Sequence, residues 1–138
     1  MKTKIDQFID LLKAYNMHTN IYSEKAYDKL PFHIDDSKVL AGLISNKPLT
    51  VFDFGSGSGL PSAIIAILNP NNTVYAIESK SRKSKFLCQV AESLSLTNYK
   101  IVNQNIIEFA RESRPKPDII TAKAFGPIEK TLDFAKRF

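Results

Sequence analysis

Ile5, Phe8, Ile9, Leu12 and Tyr15 recur at helical spacing and predict an amphipathic helix at the start of the chain, over residues 4–15. A polar connection, residues 16–27, follows it. The stretch "HIDDSKVLAGLI", residues 33–44, predicts a second helix. Asp35 and Asp36 would sit near its positive end, and Val39, Leu40, Leu43 and Ile44 would form its apolar face. "SNKP" then breaks it. From residue 49 the pattern changes to short apolar runs alternating with helical ones. Residues 49–54, 73–78, 99–103 and 118–122 read as buried strands, and residues 60–70, 81–96, 106–113 and 127–138 as helices, with Pro61 in the first turn of its helix. Strands and helices alternating through short loops call for a parallel sheet covered by helices, an α/β fold. The expected organisation is a helical extension over residues 1–47 and an α/β core over residues 48–138, packed as one compact unit.

Composition narrows the class. A chain of 138 residues, 43% hydrophobic and 24% charged, suits one globular domain with its own core. No apolar stretch approaches the roughly 20 residues that cross a bilayer. Asp6, Gln7 and Asp10 interrupt the N-terminal run where a signal peptide would be uniformly apolar. The single cysteine, Cys88, excludes an internal disulfide and fits a reducing, cytoplasmic setting; with Phe86, Leu87 and Val90 nearby it reads as a core residue. Two histidines and one cysteine, unclustered, do not form a metal-site pattern. Nineteen basic against fourteen acidic residues give a net charge of +5, compatible with an anionic partner such as RNA and equally with solubility charge alone.

The candidate chemistry starts at "FDFGSGSGLP", residues 52–61. Glycine at a strand-to-helix turn permits positive φ and a close approach of backbone to ligand. Gly55, Gly57 and Gly59 are spaced G-x-G-x-G, and Leu60 stands next. The dinucleotide fingerprint G-x-G-x-x-G therefore fails at its third glycine, which weighs against a nicotinamide-linked oxidoreductase. Asp53 closes the first strand and Glu78 the second, the position from which a carboxylate reaches ribose hydroxyls. Alternatively, Asp53 bonds its own turn and Glu78 is a solvated strand end. Asp-x-Gly-x-Gly-x-Gly with an acid ending the next strand resembles the class I S-adenosylmethionine-dependent methyltransferases, whose Rossmann-like sheet holds the methionine part of the cofactor at the glycine turn.

A closer resemblance runs through residues 5–135. Proline directly after "GSGSGL" is similar to the GidB/RsmG family, bacterial methyltransferases of guanine N7 in 16S ribosomal RNA. Asn16 and Asn20 resemble the family's Asn-x-x-x-Asn-Leu segment, "HIDDS" its His-x-x-Asp-Ser motif, and "SKSRKSKFLCQVAESLSLTN" its helix of Lys/Arg followed by Phe-Leu. "IIEF" and "AKAFGP" resemble its later loops. The resemblance implies S-adenosylmethionine as cofactor, held by Asp53, Gly55, Gly57, Gly59, Leu60, Glu78, Ile106 and Ile107. It also implies 16S ribosomal RNA or the small ribosomal subunit as partner, approached through His33, Asp36, Arg82, Lys83 and Lys123. The basic cluster of Lys80, Arg82, Lys83 and Lys85 reads equally as a solvated helix face. His33 either fixes a loop or touches substrate; Asp36 either caps its helix or holds the N-terminal segment over the pocket. Guanine N7 carries an exposed lone pair, so catalysis by orientation suffices and no residue stands out as a general base. Three positions depart from the family pattern: Ile106-Ile107, Lys123 in place of arginine, and Ser62 in place of glycine. Family members also continue with further C-terminal strands. Without them the fourth strand is expected at an open edge, in a fragment, in a sheet completed by another chain, or in a decayed copy that binds cofactor, RNA or a partner without turnover.

Overall fold

The computed structural model describes residues 2–112, 114–123 and 125–138. Four parallel strands, β1 (Thr50–Phe54), β2 (Thr73–Ile77), β3 (Tyr99–Val102) and β4 (Ile119–Ala122), form one sheet in the order β3-β2-β1-β4. Six α-helices accompany it: α1 (Lys4–Asn16), α2 (Leu30–Ile44), α3 (Ser62–Leu68), α4 (Ser81–Ser93), α5 (Ile106–Ala110) and α6 (Ile128–Ala135). The fold is a Rossmann-like parallel sheet with flanking helices and a helical N-terminal segment. The strands and most helices lie within a few residues of their predicted bounds. Ser113, at the end of the predicted helix 106–113, and Ala124, within "AKAFGP", lie outside the described residues.

Side-chain alternation along the strands sorts the core into two layers. Val51, Val74, Ala76 and Tyr99 point to one face, where they pack with Phe8 and Leu12 of α1, Ile34 and Ala41 of α2, Ala63–Ala66 of α3, and Phe86, Leu87 and Val90 of α4. Phe52, Phe54 and Ile77 point to the other, against Ile106 and Phe109 of α5, with Phe125, Phe134 and Phe138 beside them. The N-terminal helices thus share one apolar cluster with the sheet. The turn before β2 is fastened from below. Asn72, fully buried, donates to the carbonyls of Ser45 and Lys47, while Asn98 donates to those of Ala66, Asn69 and Asn72.

Four readings of the sequence need correction. The second helix starts at Leu30, three residues before its predicted start, with Lys29 at its cap position. Asp35 and Asp36 therefore lie beyond the first turn, and Asp36 does not cap the helix. Leu30, Ile34, Ser37, Ala41 and Ile44 form the buried face, whereas Val39 and Leu43 are 64% and 79% exposed. Ser37 and Ala41 are small, so α2 can lie close to α3, which it contacts. Cys88 is exposed on the outer face of α4, because Phe86, Leu87 and Val90 already supply that helix's buried stripe. Finally, the polar connection contains a 3-10 helix at Glu24–Lys29, and Pro61 stands at the cap of α3 rather than inside it.

Candidate functional site

β1 delivers the chain into a turn of three glycines with left-handed φ: +67° at Gly55, +55° at Gly57 and +94° at Gly59. The N–H groups of Gly55 and Ser56 donate to the Ile77 carbonyl, so the turn is bonded to the end of β2. The three glycines do different work. A Cβ on Gly55 would lie 2.9 Å from the Phe125 ring, one on Gly57 would meet only its own loop, and one on Gly59 would enter the contact between Leu87, Ala63 and Phe8. Gly59 is buried and closes the core beneath the turn. It lines neither of the cavities described below. Its work is the close helix–strand packing that the third glycine of a dinucleotide loop performs.

Asp53 lies beneath the turn too. Alternation directs it toward α3, on the face of Val51, and it is 1% exposed. Ser56 Oγ donates to its Oδ2 at 2.8 Å, and Thr121 Oγ1 on β4 donates to its Oδ1 at 2.8 Å. Burial pushes the carboxyl up to about 6, against the opposing pull of the bonds from Thr121, Ser56 and Ser62. Asp53 therefore binds the turn to β1 and β4 and lines neither cavity. Glu78 is placed differently. Its Oε1 accepts the Gly57 N–H at 2.8 Å and its Oε2 the Lys80 N–H at 2.9 Å, so one carboxylate clamps the glycine turn to the β2–α4 loop. A carboxylate has about four lone-pair sites, which leaves two for a ligand's hydroxyls.

Two cavities meet at Gly55. The first, about 330 Å³, is lined by Gly55, Ile77, Ser79, Ile106, Ile107 and Phe125, with Gln104, Asn105, Lys130 and Phe134 completing its rim. Asn105 caps α5 through a reciprocal pair with Glu108, which fixes Ile106 and Ile107 at the cavity wall. This apolar slot with a few amide and hydroxyl groups suits a flat heterocycle. The second cavity, about 270 Å³, is lined by Gly55, Ser56, Gly57, Ser58, Leu60, Ile21, Tyr22, His33, Lys83 and Lys123. Of the residues singled out from sequence, the structure brings Gly55, Gly57, Leu60, Ile106, Ile107, His33, Lys83 and Lys123 to these walls; Glu78 lines neither cavity and is bonded to Gly57, which lines the second. Arg82 lies next to the second cavity, its Nε donating to the Asn20 carbonyl. Asp36 is exposed and lines neither cavity, because the early start of α2 carries it past the turn that reaches the site.

The wall of the second cavity is built by Asn16. Its Oδ1 accepts the N–H groups of Ile21 and Tyr22, and its Nδ2 donates to the Tyr22 carbonyl and the Tyr27 hydroxyl. These four bonds fold the segment after α1 so that Tyr22 Oη meets His33 Nδ1 at 2.9 Å. Sequence reasoning passed over Tyr22, Phe125 and Lys130. Tyr22 carried no signal beyond its distance from Asn16, and Lys130 reaches the site by lying over the Phe125 ring, 4.5 Å from its centre. Among the described residues no group of three or more His, Cys, Asp or Glu side chains is arranged to hold a metal ion, and no helix is long and apolar enough to cross a membrane.

Residues 1–138 match the family model described as GidB: rRNA small subunit methyltransferase G. The chain is 33% identical over 133 residues to the ribosomal RNA small subunit methyltransferase G of Acholeplasma laidlawii, covering 95% of this chain and 57% of that protein. Its counterpart of the same description in Gluconobacter oxydans is 38% identical over 134 residues, covering 96% and 66%. The chain thus spans a little over half to two thirds of the length of these relatives. Among solved structures, M. jannaschii TYW2 in complex with AdoMet superposes with a TM-score of 0.67 at 22% identity, over 88% of this chain and 51% of that one. Coclaurine N-methyltransferase bound to N-methylheliamine and SAH gives 0.68 at 18% identity, over 94% and 40%. These two likenesses are of fold.

Proposed function

Because the chain belongs to the GidB family of rRNA small subunit methyltransferase G, we propose that it serves an S-adenosylmethionine-dependent methyltransferase acting on guanine N7 of 16S ribosomal RNA. One observation carries the reading: an apolar cavity and a polar, cationic one meet at Gly55, with Glu78 clamped between their loops. Ile77, Ile106, Ile107 and Phe125 would hold the adenine, Glu78 the ribose, and Gly55 and Gly57 the amino-acid end. When bound, S-adenosylmethionine supplies an electrophilic methyl group. Lys83 and Lys123 face the polar cavity and supply positive charge for RNA phosphates, giving affinity that falls with salt. Lys123 does so as a flexible point charge rather than a planar fork. Guanine N7 needs no proton removed, so the work left to the protein is to orient the base and exclude water. The segment over residues 1–47 contributes through Tyr22 and His33, which close the substrate side. The small ribosomal subunit and a cytoplasmic location fit this reading.

Calorimetry with S-adenosylmethionine and S-adenosylhomocysteine tests the cofactor half, and methyl transfer to 16S rRNA or small-subunit particles the other. Binding of both cofactor forms together with labelled 7-methylguanine supports the proposal. Absence of cofactor binding refutes it for this chain. Cofactor binding without transfer is the outcome of the alternative, in which the chain binds without turnover.

A further inference from the structure

Tyr22 Oη has two neighbours in reach: the Ala26 carbonyl at 3.3 Å and His33 Nδ1 at 2.9 Å. A phenol has one proton to give. A carbonyl can only accept, so both contacts are satisfied together when Tyr22 donates to Ala26 and His33 donates from Nδ1 to Tyr22. In the opposite tautomer the phenol proton turns to His33 and the Ala26 contact is lost. In a neutral ring that arrangement has the imidazole proton on Nδ1 and Nε2 as a lone-pair acceptor. Asn16 bonds both the N–H and the carbonyl of Tyr22 and the N–H of Ile21, which makes the relay part of the folded wall rather than of a loose loop. The same cavity carries two cationic side chains, Lys83 and Lys123, and no carboxylate among its lining residues.

We propose that Tyr22 and His33 form the base-reading wall of this cavity, His33 Nε2 accepting a hydrogen bond from the Watson–Crick edge of the target purine. The proposal rests on the functional reading above and adds the determinant of base choice. Guanine carries N–H donors at N1 and N2, whereas adenine has a bare acceptor at N1, nothing to donate at C2, and its one donor on this edge at N6, so an acceptor set against the N1–N2 side favours guanine. Guanine also carries N7 on the edge opposite those donors. A base held at the Tyr22–His33 wall by N1 or N2 thus turns N7 toward the remainder of the cavity, where Gly55, Ser56 and Gly57 lie. His33 acts here as a specificity residue and Tyr22 as the residue that positions it.

Nitrogen-15 NMR of the His33 ring in the full chain reads the tautomer directly, without turnover. The expected spectrum shows the proton on Nδ1 in the wild type and a shift toward Nε2 in Tyr22→Phe, which keeps the ring but breaks the relay. Titration with guanosine and adenosine monophosphates, followed at the His33 ring so that the apolar cavity does not register, should favour guanosine about tenfold, the worth of one good hydrogen bond. His33→Ala should erase that preference in a competition assay. A wild-type proton on Nε2, or equal perturbation by both nucleotides, overturns the proposal. The wild-type measurements stand even if a variant fails to fold. Failure of cofactor binding in separate calorimetry would sink the methyltransferase reading while leaving the tautomer result readable.

Discussion

Gly59→Ala is expected to be the most damaging single methyl that can be added to the glycine turn. At φ +94° an alanine is held outside the ordinary left-handed well, and its Cβ would sit 3.1 Å from Leu87 Cδ2, 3.2 Å from Ala63 Cβ and 3.3 Å from Phe8 Cε1. All three neighbours are fully buried, so none can swing away into solvent. Backbone strain of about 1–3 kcal/mol adds to an overpacking cost of about 1–3 kcal/mol, for a total near 4 kcal/mol. Total stability for such a domain is about 5–15 kcal/mol, so a large share is lost. Gly57→Ala is the internal control: φ is +55°, inside the left-handed well, and the nearest atom to the new Cβ is the Gly55 carbonyl oxygen at 3.8 Å. Its cost should be about 1 kcal/mol. For a chain of this size about 3–6 °C is lost per kcal/mol, so thermal melts followed by circular dichroism should fall by about 12–24 °C for Gly59→Ala and about 3–6 °C for Gly57→Ala. If the two variants melt together, the assignment of Gly59 to core packing is wrong.

Asp53→Asn should change how stability responds to pH. The folded carboxyl holds its proton up to about 6, above its ordinary value of 3.8. The unfolded chain therefore ionises first, and the stability that Asp53 contributes below pH 3.8 is lost as pH rises to about 6, at up to about 1.4 kcal/mol per pH unit and about 3 kcal/mol in all. Urea unfolding at several pH values should show the advantage of the asparagine variant growing through that window and level above it; a constant difference would contradict the burial argument. Asn16→Ala leaves two buried-side N–H groups and the Tyr27 hydroxyl short of partners and should cost about 2–4 kcal/mol by the same melts, with weakened guanine binding. Glu78→Gln sets an amide N–H₂ against the N–H of either Gly57 or Lys80, costing about 1–3 kcal/mol. Cofactor affinity measured by calorimetry should drop at least tenfold; an unchanged affinity would remove Glu78 from the ribose site.

The sheet was legible in the sequence because its strands are short, apolar and separated by helices whose polar faces are plain. The glycine turn was legible because few other uses of three alternating glycines follow a buried strand. α2 was misread for a physical reason. Its sequence carries two apolar stripes, one through Leu30, Ile34, Ala41 and Ile44 and another through Phe32, Val39 and Leu43. Starting the helix at His33 discards Leu30, and ranking by side-chain size favours Val39 and Leu43. The fold instead buries the stripe containing Ser37 and Ala41, and α2 packs on α3. Tyr22 and Phe125 were missed because their place in the site depends on tertiary contacts: Asn16 brings in the first, and the missing Cβ of Gly55 admits the second.

The two acids look equivalent along the chain, each at the end of a strand, yet register separates them. β1 and β2 pair with Asp53 opposite Ala76 and Phe54 opposite Ile77, so Glu78 is level with Gly55, two residues above Asp53. At that height Glu78 can accept the Gly57 N–H and still offer lone pairs outward. Asp53 is level with Thr121 of β4 and on the same face, which is why the Thr121 hydroxyl reaches it directly. A shift of one residue in either pairing would reverse side-chain direction and break this arrangement. The difference between the two acids, one bonded to Ser56 and Thr121 beneath the turn and one to Gly57 and Lys80 above it, thus follows from strand register and the period of two.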